Sequence, residues 1–401
     1  MTAAVNYLLA LWVIRVLKPE WILSYFVPSL GFIKGIPTLL LFGLLAYVVF
    51  TLRKPLVIDK PYLCFVVVIL ISTLFAVNTG LARNGLRYVT ESFIFFSLCL
   101  TLVSSEQAFD KMIAIYVITL FFYAISGIAF NGLVPFHVFL NNEDAFGPFM
   151  VLGTSISFYA ALQSQKTKFF YVIVAAICVL GLIASFARGA FLSLCALGIF
   201  IWWKSGRKFK TALIMCMIIL VFMVSANILF EGGKYWQEMA TIDDSLSDEK
   251  TEGRHFLRRK AIEMFKENPV VGVGPYNYGF VLPRITTQEQ AAERGVHVEQ
   301  LYHRVPHSVY FQILSELGTA GVVCFLAMLY SFWRKNKSAQ ADRGNWSDAA
   351  KTSLYLRKRR YYALALQGAM VVYLVNGMFY DILYYPWFTD LLIMNSLVLR
   401  T

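Results

Sequence analysis

Apolar runs separated by short polar breaks recur along almost the whole chain, near residues 4–17, 36–52, 61–77, 84–103, 111–131, 145–163, 168–187, 189–204, 210–230, 306–333, 361–379 and 384–400. Each approaches the roughly 20 residues that a helix needs to cross a hydrocarbon layer about 30 Å thick. None shows the period-2 alternation of a barrel strand, and lipid offers no partner to an unpaired backbone. The pattern therefore predicts an all-α, polytopic transmembrane helical bundle of about 12 spans. The stretch Trp21 to Ile33 is also apolar, but it is short and holds Pro28 and Gly31, so it reads as a re-entrant or interfacial piece. One long polar stretch divides the chain into N-terminal transmembrane helices (1–230), a large loop (231–305) and C-terminal transmembrane helices (306–401).

Composition changes this picture little. Of 401 residues, 58% are hydrophobic and 15% charged, which excludes a water-soluble globular protein. The net charge of +12 sits largely in short loops: Arg53, Lys54 and Lys60; Lys166 and Lys168; Lys204 to Lys210; and Arg334 to Arg360. Counting spans puts all of these on one side, so they are read as cytoplasmic, with both termini, and the 231–305 loop as lying outside. Basicity thus reports membrane orientation and not nucleic-acid binding, and the cluster Arg357 to Arg360 is expected to pair with anionic membrane lipids. The six cysteines (Cys64, Cys99, Cys178, Cys195, Cys216, Cys324) lie in apolar runs without CxxC spacing and read as small buried hydrophobes. The first apolar run lacks a basic leader and an A-x-A site, so it is expected to stay in the membrane.

Candidate chemistry gathers on the outer side. In Ser185-Phe186-Ala187-Arg188-Gly189-Ala190 an arginine stands between adjoining apolar runs, where it either faces an anion or snorkels to the head groups. The segment from Glu252 through Arg254, Arg258 and Lys260 to Asn268-Pro269 has helical spacing. Arg254 and Arg258, four apart, share one face suited to a diphosphate, although a solvated face pairing with Glu252, Glu263 and Glu267 fits the spacing as well. The turn Val271 to Tyr278, with Gly272 and Gly274, lacks the lysine and third glycine of a phosphate loop. It reads as a tight return to the membrane surface, with Tyr276 and Tyr278 as interfacial anchors or sugar platforms. In Pro306-His307-Ser308 the proline marks a helix start, which puts His307 in the first turn, where the dipole favours the neutral imidazole that a general base needs, although a capping or interfacial histidine fits the position as well. Glu316, nine residues on, falls on the opposite helical face and roughly 13 Å deeper, and is expected to pair with a donor on a neighbouring helix. The outer histidines lack HExxH spacing, so no metal is expected.

Taken in order, SFARGA, GRHFLRRKAIEMFKENPVVGVGPYNY and PHSVYFQILSELG resemble the O-antigen ligase and polymerase family over roughly the second half of the chain. The resemblance implies an inner-membrane glycosyltransferase with a large periplasmic loop and no cofactor, metal or nucleotide sugar. Its donor would be a glycan on undecaprenyl diphosphate and its acceptor a lipid A core sugar or another hydroxyl. Position by position, it makes Arg188 and Arg254 diphosphate ligands and His307 the base. It leaves Arg284 as a further arginine of the loop, and it departs at Arg258, where family members often have tryptophan. Gly274 and Glu316 are expected to give structural support, and Tyr276 to contact substrate. A polymerase and a protein O-oligosaccharyltransferase remain alternatives within the family. Outside it, a transporter or lipid flippase would place its polar groups near the bilayer midplane instead of in one outer loop.

Overall fold

A computed structural model describes residues 1–213, Cys216, Val224, 249–293, 295–341 and 349–400. The 210–230 run beyond residue 213, the start of the long loop and part of the Arg334 to Arg360 segment thus lie outside the described residues, Cys216 and Val224 excepted, as do the side chains of 249–252 and 349–355. The described chain is helical, and no β-strand occurs in it. The principal helices are α1 (Thr2–Leu17), α2 (Pro19–Phe26), α3 (Ile36–Ala46), α4 (Lys60–Leu74), α5 (Thr79–Leu102), α6 (Glu106–Ala129), α7 (Glu143–Gln163), α8 (Lys168–Ser185), α9 (Arg188–Lys204), α10 (Glu249–Glu267), α11 (Val309–Ala341), α12 (Ala349–Asn376) and α13 (Pro386–Leu397). Among the described residues, six segments are long and apolar enough to cross a membrane: Pro28–Thr51, Thr79–Leu102, Glu106–Ala129, Glu143–Gln163, Lys168–Ser185 and Val309–Ala341.

Local sequence sets the helix ends. The side chains of Asp59, Asn78, Ser105 and Asn142 each accept an amide proton from the first turn of α4, α5, α6 and α7, satisfying donors that have no helical partner. α7 is the central helix and packs against both α8 and α12. Small residues permit the approach: a Cβ at Gly153 would come within 2.7 Å of Leu120, and one at Gly368 within 2.4 Å of the Ser155 hydroxyl. That hydroxyl donates to the Ala365 carbonyl at 2.9 Å. Deep in the bundle, Arg15 of α1 pairs with Asp390 of α13 at 2.7 Å, so neither charge is left bare.

The Trp21 to Ile33 stretch folds as α2 followed by a tighter helix, Pro28–Gly35, and not as one long helix. Cys64, Cys195 and Cys216 are exposed on the bundle surface, which corrects the expectation that all six cysteines are buried. Period and hydropathy cannot tell which stripe of an apolar helix faces neighbours and which faces lipid.

Contacts between loops define two ends. At one, Lys335 pairs with Asp59, Val57 N–H donates to the Thr101 hydroxyl at 2.9 Å, and Lys358 pairs with Glu106 at 2.5 Å. At the other, Val77 N–H donates to the Val273 carbonyl at 3.1 Å, Val309 N–H to Gly377 at 2.8 Å, and Gly132 lies against the Ser185 backbone. This second end carries α10 over a small apolar core of its own, including Phe256, Met264, Tyr278 and Leu301.

Candidate functional site

The loop-rich end is organised by a break in α11. Gly318 interrupts that helix at φ 61° and ψ −159°, stranding backbone groups on both sides. The segment after Asn268 supplies partners. Val273 and Gly274 donate to the carbonyls of Ser315 and Glu316 at 2.9 and 3.0 Å, while Thr319 and Ala320 donate to those of Pro269 and Val270 at 2.9 and 3.0 Å. A Cβ at Gly272 would lie 2.3 Å from the Glu316 backbone, and one at Gly318 2.6 Å from that of Val270. Both positions also have positive φ, so glycine is required twice over. The Asn-Pro-x-x-Gly-x-Gly pattern is thus a backbone splint for the kinked helix.

The splint ends in a turn that holds Tyr276 at φ 57° and sets its ring 4.5 Å from that of Tyr384, centroid to centroid. Glu316 is enclosed beneath them. The Tyr384 hydroxyl donates to its Oε2 at 2.8 Å and the Tyr278 amide to its Oε1 at 3.4 Å. Its partners are Tyr384, just before α13, and Tyr278, which opens a short helix, Tyr278–Val281, after the splint.

His307 does not occupy the first helical turn as the sequence suggested. α11 begins at Val309, and the Val309 amide and the Ser308 hydroxyl both donate to the Gly377 carbonyl, at 2.8 and 3.0 Å, pinning the helix start to the end of α12. His307 precedes it in a left-handed conformation, φ 49°. Its Nδ1 is buried and no hydrogen bond reaches it. Burial, followed by the charges of Arg254, Arg304 and Arg258, pushes the imidazole down to about 4, so the ring is neutral at pH 7.

α10 presents two of these arginines. Arg258 donates to the Met378 carbonyl at 2.8 Å and lies 5.6 Å from the Phe311 ring. Burial and then Arg254 hold its guanidinium below the ordinary value, and its Nε has no partner. Arg188 opens α9 at the same end. α8 stops at Phe186 in a left-handed cap, and a Cβ at Gly189 would come within 3.0 Å of Phe379, so this elbow abuts the loop after α12. Asp144, at the start of α7, interacts electrostatically with both Arg254 and Arg188. His307, Arg254, Arg258 and Arg188 are thereby brought to one end with the 377–385 loop.

Arg284 stands elsewhere: it is exposed, its guanidinium lies 3.6 Å from the Phe280 ring, and it is not among the arginines acting on His307. His255, His297 and His303 are exposed. Among the described residues no group of three or more His, Cys, Asp or Glu could hold a metal.

Sequence reasoning passed over Asp144, Arg304, Tyr380, Asp381 and Tyr385. Asp144 reads as ordinary acidic dressing of a helix start. Asp381 did carry a signal, a lone charge inside the aromatic run Phe379 to Trp387.

No curated protein matches the chain. A family model described as O-antigen ligase matches residues 173–326, a stretch that takes in Arg188, Arg254, Arg258, Tyr276, Arg284, His307 and Glu316. The neutral histidine, the arginines around it and the splinted helix all fall within that match or beside it, and over residues 173–326 this chain matches the O-antigen ligase family of membrane glycosyltransferase-like proteins.

Proposed function

We propose that the chain transfers a glycan from undecaprenyl diphosphate to an acceptor hydroxyl, a lipid A core sugar, at the periplasmic face of the inner membrane. The loop-rich end would face the periplasm, with the basic loops at the opposite end in the cytoplasm. The observation that carries the reading is a neutral His307, its Nδ1 unpartnered, among Arg254, Arg258 and Arg304.

In this reaction the acceptor oxygen attacks the anomeric carbon. The bond from that carbon to the diphosphate oxygen breaks, and its electron pair leaves with undecaprenyl diphosphate. The hydroxyl proton passes to His307 and then to solvent. Attack opposite the leaving group inverts the configuration. Arg188 and Arg254 stabilise the charge that grows on the departing diphosphate. The same anion offsets the guanidinium charges around His307 and makes the imidazole more basic once donor is bound. Arg258, held by Met378, fixes α10 against the 377–385 loop. The arrangement asks for no metal ion, because cationic side chains occupy the place of a Lewis acid.

The test is glycan transfer in membranes carrying His307→Ala or Arg254→Ala, matched for expression, with undecaprenyl-diphosphate-linked glycan and rough lipopolysaccharide supplied. Both variants should lose transfer. Near-normal transfer by both would overturn the reading, and transport of the lipid-linked glycan without transfer would favour a flippase.

A further inference from the structure

The 377–385 loop contributes more than a prop for α10. Asp381 is partly exposed as a residue, yet its Oδ1 is buried and no hydrogen bond reaches it. Burial foremost, with Asp144 adding to it, raises this carboxyl to about 7. A buried carboxyl oxygen without a partner is costly unless something supplies a donor. Tyrosines are its electrostatic neighbours. Tyr276, Tyr380 and Tyr385 all feel the Asp381 charge. The Tyr380 and Tyr385 rings meet edge to face, with centroids 6.4 Å apart. The Tyr385 ring lies 4.7 Å from Phe139, which lies 6.4 Å from Tyr88 of α5. At the near end of the arc, Tyr380 is 6.2 Å from the His307 ring. Tyr276, Tyr380 and Tyr385 are all partly exposed.

We propose that Asp381 and the rings of Tyr276, Tyr380 and Tyr385 form a subsite for the sugar ring of the acceptor, placing its hydroxyl against His307. The chemistry suits a pyranose: apolar C–H faces rest on aromatic rings, and ring hydroxyls donate to a carboxyl and exchange hydrogen bonds with phenols. Charge assigns the subsite to acceptor and not to donor. Arg254, Arg258 and Arg304 act on His307, whereas the outside charge acting on Asp381 is Asp144, which in turn feels Arg254 and Arg188. Arginine charge thus bears on His307, and carboxylate charge on the tyrosine arc. A diphosphate is drawn to the first flank and repelled by the second, while an uncharged sugar is not. Backbone strain falls here as well, at Tyr276 and His307, both left-handed, as is common where side chains are held for a ligand.

The proposal rests on the transferase reading, so its test has two arms. In the first, transfer to rough lipopolysaccharide is measured for Asp381→Asn and Tyr385→Ala in protein that elutes and melts like the wild type. The KM for lipopolysaccharide should rise about 10- to 100-fold, as expected for hydrogen bonds to a charged group, while the KM for undecaprenyl-diphosphate-linked glycan stays unchanged. A rise in donor KM instead, or a loss confined to kcat, overturns the assignment to acceptor. In the second arm, binding of the core oligosaccharide released from rough lipopolysaccharide is followed by intrinsic fluorescence of the full chain in nanodiscs, with no donor present. Asp381→Asn and Tyr385→Ala should weaken binding by the same factor, while Arg254→Ala leaves it intact. Equal binding by all of these proteins sinks the subsite whether or not the wild type catalyses transfer. Binding without transfer in the wild type would instead count against the transferase reading alone.

Discussion

The two ends of the bundle handle charge differently, although α10 at the loop-rich end also holds one pair, Lys260 with Glu263 at 2.7 Å. At the end near Asp59 and Glu106, carboxylates meet cations directly. Lys335 holds Asp59 and Ser396, Lys358 bridges Glu106 and Asp110, and Tyr362 donates to Asp110 at 3.0 Å. Asn336 and Asn395, a little deeper, bond to each other at 2.7 Å. At the loop-rich end, His307 Nδ1, Arg258 Nε and Asp381 Oδ1 are buried with no hydrogen bond. Backbone strain divides in the same way. Among the described residues, seven non-glycine positions have positive φ; Arg53 is at the paired end, and Lys18, Asn131, Phe186, Tyr276, His303 and His307 are at the other. Paired charges and relaxed backbone mark an end built for stability. Ionisable groups with unmatched buried atoms, together with strained backbone, mark one that keeps interaction energy for a ligand.

The largest effect that would sharpen this contrast is on catalysis. His307→Ala should lower transfer roughly 10²- to 10⁴-fold, the usual contribution of a positioned base, with thermal stability near that of the wild type. A melting temperature that fell along with activity would mean that the strained end carries structure after all. Arg254→Ala should follow at about 10²-fold, as for other groups that stabilise a developing anion.

Gly272→Ala tests the splint. Left-handed strain and a backbone clash at 2.3 Å should destabilise the protein by about 3 kcal/mol or more, read as a lower melting temperature in detergent, and activity should fall only as folded protein is lost. Wild-type stability in this variant would contradict the glycine requirement. At the paired end, Asp59→Ala should cost about 1–2 kcal/mol by leaving Lys335 without its carboxylate and α4 without its cap, while kcat and both KM values remain unchanged. A specific loss of transfer there would erase the division between the ends.

The smallest effect is a displacement in pH. Burial and neighbouring arginines depress His307 to about 4, so free enzyme stays unprotonated well below the ordinary histidine range. The kcat/KM for donor should hold level from pH 8 to about 5 and decline only as pH falls towards 4. The same shift removes stability as pH drops from about 6.5 through 4, because the unfolded chain takes up the proton first. An acid limb centred near 6.5 would place His307 outside the arginine cluster.

Much of this molecule is written locally in its sequence. Hydropathy specifies helices, because a span must satisfy its own backbone and present apolar side chains. Caps such as Asn78 and Ser105 act within one turn. The motif residues Arg188, Arg254, Tyr276, His307 and Glu316 stand out because charge, histidine and glycine are conspicuous between apolar runs. Tertiary structure alone decided what each of them touches. The break at Gly318 exists because residues 269–274 supply the hydrogen bonds the helix gives up, a pairing across some fifty residues that no local period encodes. His307 sits outside its helix, in a left-handed turn, while Gly377, just past the end of α12, accepts the first amide of α11. Asp144, Asp381, Tyr380 and Tyr385 look like a capping acid and scattered interfacial residues until the ends of α7, α9, α10 and α12 bring them to the end of the bundle that holds His307. Helix formation depends on neighbours in sequence, whereas a site depends on neighbours in space, and those are chosen by packing between segments far apart in the chain.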